Sequence, residues 1–221
     1  MTISPRGTLD RELARLRDEL LRLGSLVDSA IERALRALQT RDLALARQVS
    51  QDDQAINDLR YKIEEDCLAL IATQQPAAVD LRTTVAILNI IIDLERMADH
   101  AAGIAEIVIR MGTEPLLKPL IDIPRMAQID REMLRRSLDA FIAHDPDLAR
   151  EVAQRDDEVD HLYNQIFREL LTYMIEDPKT ITRATYLLWV AHNLERIGDR
   201  VTNISERVVF MTTGIVRELN V

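Results

Sequence analysis

The chain has 221 residues, 47% of them apolar, and a formal charge of −9 from 37 Asp and Glu against 28 Lys and Arg. That apolar share fills a sizeable core and excludes a disordered chain, while the acidic balance excludes a general nucleic-acid binder, which needs clustered Lys and Arg against phosphates. A single cysteine, Cys67, excludes an intrachain disulfide framework and multi-cysteine zinc sites, and 4% aromatics with only 6 Gly favour long helices over a sandwich or barrel.

Residues 1–9 lack the apolar stretch of a secretory signal. No apolar run approaches the roughly 20 residues that span a bilayer, so a cytoplasmic protein without membrane insertion is expected. Apolar residues recur at three- and four-residue spacing between a few grouped breakers, which predicts helices throughout. The first runs near 9–39 and ends at Thr40-Arg41-Asp42. Asp42 can cap a second helix near 42–73, which carries Cys67 as a buried thiol and ends at Thr73-Gln74-Gln75-Pro76. Asp80 can cap a third helix near 80–111. Breakers gather again from Gly112 to Pro124, where Asp122-Ile123-Pro124 opens a fourth helix near 124–143. Asp145-Pro146 and Asp177-Pro178 read as N-cap followed by Pro at the first helical position, opening a fifth helix near 146–175 and a sixth near 178–213. Met174 and Trp189 read as core filling. A 30-residue helix is about 45 Å long, a length that suits elongated antiparallel bundles with short loops.

The sequence also repeats. Asp42, Leu45, Ala46, Arg47, Val49, Gln51 and Asp53 recur 103 positions later, and Leu59 and Ile63 recur as Leu162 and Ile166. Leu94-Glu95-Arg96-Met97-Ala98-Asp99 recurs as Leu194-Glu195-Arg196-Ile197-Gly198-Asp199, now 100 positions later. The expected fold class is therefore all-α, two tandem three-helix units over 1–112 and 113–221.

Glu95 and Asp99 are four apart and point off one helix face; Glu106 falls within roughly 40° of them, and Glu195, Asp199 and Glu206 repeat the pattern. The apolar face of the same helix is Ile87, Ile91, Leu94, Ala98, Ala101, Ala105 and Val108, so the acids border the core and face solvent or a groove. Hard oxygen donors suit Mg²⁺, Mn²⁺ or iron, with further ligands from water or a neighbouring helix, where Asp53, Asp156 and Asp160 are candidates. His100 is one more donor beside Asp99. Two other readings stand beside this one. Glu158-x-x-His161 has the spacing of di-iron bundles, as in a ferritin-like di-metal oxidase, but no second Glu-x-x-His exists in the chain. A metal-free helical scaffold treats the acids as solvated faces with Arg96 and Arg196 pairing locally.

With these two units, the Asp80-Leu81-Arg82 opening of the third helix and the repeated Glu-x-x-x-Asp, the chain resembles the PhoU family of phosphate-transport regulatory proteins over nearly its whole length. The resemblance implies a non-enzyme: a negative regulator of phosphate uptake and of the phosphate-starvation response. It would link the ATPase subunit of the phosphate ABC transporter to a sensor histidine kinase, and would form a homodimer. It implies metal sites holding Fe, Zn, Mg or Mn at Glu95 with Asp99 and at Glu195 with Asp199. The chain departs from a strict repeat at Gly103 against Asn203, and its second half lacks the Asp-Leu-Arg entrance, so the two sites are expected to differ in occupancy.

Overall fold

The structure, a computed structural model, describes residues 5–215 and 218–219. The outermost limits of the two expected units, at 1 and 221, and Met1–Ser4 of the leader reading lie outside them. Every regular element among the described residues is helical.

Helix α1 (Pro5–Thr40) buries a stripe of Leu9, Leu13, Leu16, Leu20, Leu23, Val27, Ile31, Ala34 and Leu38, one residue every three or four. Helix α2 (Leu43–Gln74) is capped as expected: Asp42 Oδ1 accepts from the amides of Ala44 and Leu45 at 3.0 and 2.9 Å. Helix α3 (Val79–Met111) starts without a side-chain cap after Ala78. Asp80 does not cap it; it sits inside the first turn, where its carboxylate accepts from Arg6 at 2.6 Å and suits the positive end of the helix.

Helix α4 (Asp122–Ala143) ends at His144 in the left-handed region, with φ 54°. Asp145 then caps α5 (Pro146–Gln154), accepting from Asp147 and Leu148 at 3.0 Å each. The fifth expected helix is interrupted here: α5 stops at Gln154, Arg155 forms a turn, and α6 (Asp156–Glu176) begins anew. Asp156, Asp157 and Glu158 fill the first turn of α6, a favourable place for acids, and Arg155 closes the junction on Glu158 and Glu132. A single 3₁₀ turn, Pro178–Thr180, leads into α7 (Ile181–Thr213), which ends at Gly214 with φ 75°.

Helices α1–α3 pack as one three-rod bundle, and α4, α5 with α6, and α7 as another. The most extensive contact between helices is α3 against α7, with α1 against α4 beside it. The expected apolar face of α3 is buried at all seven positions. Trp189 corrects the core-filling expectation: it is 44% exposed and lies edge-on to Tyr186 with ring centroids 5.8 Å apart, whereas Met174 packs partly buried against the core.

Contacts between α3 and α7 exchange under the 100-residue repeat. Asp93 Oδ1 accepts from Asn203 Nδ2 at 3.0 Å and lies 3.6 Å from Arg200 Nη1. Asn193, the counterpart of Asp93, accepts through Oδ1 from His100 Nδ1–H at 3.0 Å, and a Cβ on Gly103 would sit 3.0 Å from that same oxygen. Gly103 thus mirrors Asn203, and His100 mirrors Arg200, across a pseudo-twofold contact.

Cys67 is buried on α2, and burial pushes its thiol up to about 12. Native protein at pH 8 is expected to leave an aromatic disulfide reagent unreacted and to consume one equivalent once guanidinium is added. Labelling of the native chain at the rate of a free thiol would contradict this burial.

Candidate functional site

The two acid motifs lie on matching faces, and in each unit a carboxylate from the neighbouring helix joins them. In the first unit, burial raises the Glu95 carboxyl above its ordinary range, and the charges of Asp99 and of Asp53 on α2 push the same way against Arg60 and Arg96. Asp53 is raised by burial and by Asp99, while Asn57 Nδ2, donating to it at 3.1 Å, opposes the shift. In the second unit, burial and then Asp199 raise Glu195, with Asp160 on α6 adding to the effect; Asp160 is itself raised by burial, Asp199 and Asp157. Each unit therefore holds a three-carboxylate edge, Asp53/Glu95/Asp99 and Asp160/Glu195/Asp199.

Two regions of the chain, 20–108 and 123–208, match the sequence profile of the PhoU domain. A phosphate-specific transport system accessory protein PhoU homolog from Pseudomonas putida is 41% identical over 206 residues, covering 92% of this chain and 80% of that one. A homolog of the same name from Aquifex aeolicus is 41% identical, covering 93% of each. The crystal structure of PhoU from Pseudomonas aeruginosa superposes with a TM-score of 0.89 at 38% identity, over 93% of this chain and 99% of that one. That of the phosphate transport system regulatory protein PhoU from Streptococcus pneumoniae gives 0.88 at 34%, over 95% and 99%.

The chain belongs to the PhoU family.

Within the two PhoU domains the acid edges match a hard cation in donor chemistry. Their oxygens do not form a closed shell: among the described residues no group of three or more His, Cys, Asp or Glu side chains is arranged as the ligands of a metal ion. Local partners also differ between the domains. Arg196 Nη1 donates to Asp199 Oδ2 at 2.6 Å, and His192 Nδ1 lies 3.3 Å from Glu195 Oε2.

Glu106 and Glu206 are engaged elsewhere. Glu106 accepts from the Ser50 hydroxyl at 2.7 Å, and Glu206 from the Leu219 amide at 3.0 Å. His100 is held by Asn193, and burial lowers its pKa, so it is spent on the contact between domains. The Glu158-x-x-His161 pair is likewise occupied: Arg155 donates to Glu158, and the His161 ring bonds the Asp157 carbonyl.

Register places Asp156 opposite Asp53 and Asp160 opposite Asn57. Asp160 is exposed, and Asp156 is buried, 5% exposed, where Asp53 is half-buried. Asp156 meets Asp130 of α4, which belongs to none of the repeated acid motifs. The available signal was an acid in the apolar stripe Met126, Ala127, Met133, Leu134, at the position matching Val27 in the first domain.

Proposed function

We propose that this PhoU-family protein is a non-catalytic regulator that restrains phosphate uptake and the phosphate-starvation response. It acts as an adaptor between the ATPase subunit of a phosphate ABC transporter and a sensor histidine kinase, and works as a homodimer. The supporting observation is the 41% identity, over nine-tenths of the chain, to proteins named as accessory components of phosphate-specific transport, with both domains matched. Long, largely acidic helical faces suit an adaptor, because they offer extended ridges and grooves to partner helices. No helix among the described residues is long and apolar enough to cross a membrane, which agrees with a partner that docks on a membrane complex from one side.

In this reading Glu95, Asp99 and Asp53 hold one hard cation, and Glu195, Asp199 and Asp160 another. A bound cation would neutralise the mutual repulsion of these acids and alter the charge of the face presented to a partner.

Deletion of the gene is expected to derepress phosphate-uptake genes in phosphate-rich medium, and the tagged protein to retain the transporter ATPase and the kinase in pull-downs. Unchanged expression on deletion would overturn the regulatory reading, and retention of neither partner in high or low phosphate would overturn the adaptor reading. Metal analysis of the native protein against a Glu95→Gln/Glu195→Gln double variant tests the sites separately; equal metal content would remove these motifs from them.

A further inference from the structure

We propose that Asp130 of α4 is a cation ligand of the second domain that the first domain lacks, so that the two carboxylate sites bind a divalent cation with unequal affinity. The inference rests on the reading that the duplicated acids hold cations. It starts from a side chain that the fold leaves without a partner. Asp130 is 0% exposed, and neither of its carboxylate oxygens has a hydrogen-bond partner. Nearly all buried polar atoms in folded proteins are paired, because an unpaired one forfeits its hydration for nothing in return.

The surroundings of Asp130 point the same way. A Cβ on Gly198 of α7 would lie 3.3 Å from Asp130 Oδ1 and 2.6 Å from Asp156 Oδ1, so two acids from different helices meet over bare backbone. Thr202 Oγ1 donates to Asp156 Oδ2 at 3.2 Å, which holds that carboxylate in place. Burial raises the Asp130 carboxyl well above its ordinary range, and the charges of Asp156 and Glu195, both acids, push the same way. Glu195 Oε2 is also buried, with the His192 ring nitrogen 3.3 Å away as its neighbour. Three carboxylates and a hydroxyl, from α4, α6 and α7, supply hard oxygen donors of the kind Mg²⁺ or Mn²⁺ takes, although they are not drawn together as a ligand shell here. Asp156, Asp199 and Thr202 also line a solvent-open cleft of about 430 Å³, whose wall carries Arg196, Arg200 and Arg207 as well.

The first domain is an internal control. At the matching positions it has Val27 for Asp130, Ala98 for Gly198 and Ala102 for Thr202. Val27 and Ala98 are buried core residues there, and Asp53 is half-buried and bonded by Asn57. Two polar replacements and a glycine at neighbouring positions in one domain alone are the pattern of a built pocket.

The test titrates Mn²⁺ into chelator-stripped full-length protein, with calorimetry and Mn²⁺ spectroscopy giving stoichiometry and affinity for each class of site. Wild type is expected to show two classes at least tenfold apart. Asp130→Val, which installs the residue the first domain uses, and Asp130→Asn are expected to lose the tighter class and keep the weaker. Asp130→Val should also melt higher than wild type in chelator, since it removes an unpaired buried acid, and gain less from added Mn²⁺; circular dichroism confirms that both variants fold. Two equal classes in wild type, or unchanged affinities in both variants, would overturn the role of Asp130 and leave the surface acids as cation sites. No Mn²⁺ binding by wild type would overturn the cation reading itself.

Discussion

Leu194→Ala is expected to lower the unfolding free energy by about 2–5 kcal/mol, as large-to-small changes in a packed core do. Leu194 is 1% exposed on the inward face of α7, one residue before Glu195, and Leu94 is 0% exposed at the matching place on α3. Truncating either opens a cavity between helices that cannot close, because α3 and α7 also hold each other. Equilibrium denaturation in guanidinium measures the loss, and Leu94→Ala should give a similar value, since the two residues occupy equivalent layers. A loss below about 1 kcal/mol at both positions would mean that these layers can collapse around a missing side chain.

The second large effect concerns Asp93, buried between the domains. Asp93→Ala removes the acceptor of Asn203 and the nearest charge to Arg200, a mostly buried guanidinium. Leaving that cation without its carboxylate is expected to cost about 2–3 kcal/mol. Asp93→Asn should cost less, because an amide still accepts from Asn203 and is what the first domain's counterpart, Asn193, presents to His100. The pH dependence separates the two effects. Burial raises the Asp93 carboxyl above its ordinary range against the pull of Asn203 and Arg200. An acid raised on folding favours the folded state fully below its unfolded value, and that contribution is lost as pH rises through the folded value. Wild type should therefore lose stability relative to Asp93→Asn as pH climbs from the ordinary carboxylate range towards neutrality, followed as melting temperature across pH 3–7. Parallel pH profiles for the two proteins would show that Asp93 ionises inside the protein as readily as in water.

The helical rods, their loops and the duplication were legible in the sequence because each rests on a repeated signal: three- and four-residue apolar spacing, Asp-Pro starts, and polar identities recurring in register. Glu95, Asp99, Glu195 and Asp199 were legible for the same reason, as were Asp53 and Asp160 as acids on the neighbouring helix. The turn at Arg155 was not, because neither Gly nor Pro marks it; three consecutive acids suit a helix start but also pass as a helix interior. The repeat gives Asp156 the half-buried place of Asp53, so its burial and its meeting with Asp130 stay hidden. Gly103 against Asn203 read as a difference between two sites. In three dimensions they are complementary halves of one contact, small where the partner is Asn193 and hydrogen-bonding where it is Asp93. Trp189 lies outside the core because its side of α7 is left partly open; composition alone, which favours burial for an aromatic, does not register that.

The exchange of contacts between α3 and α7 has the symmetry of a homodimer, but one peptide chain supplies both sides. A true pair of identical subunits could not put an acid at the Asp130 position without doing so twice. Here the linker between α3 and α4 frees each half to change by itself. The pairing of the halves also does not depend on protein concentration, so dilution cannot separate a specialised half from its plainer twin.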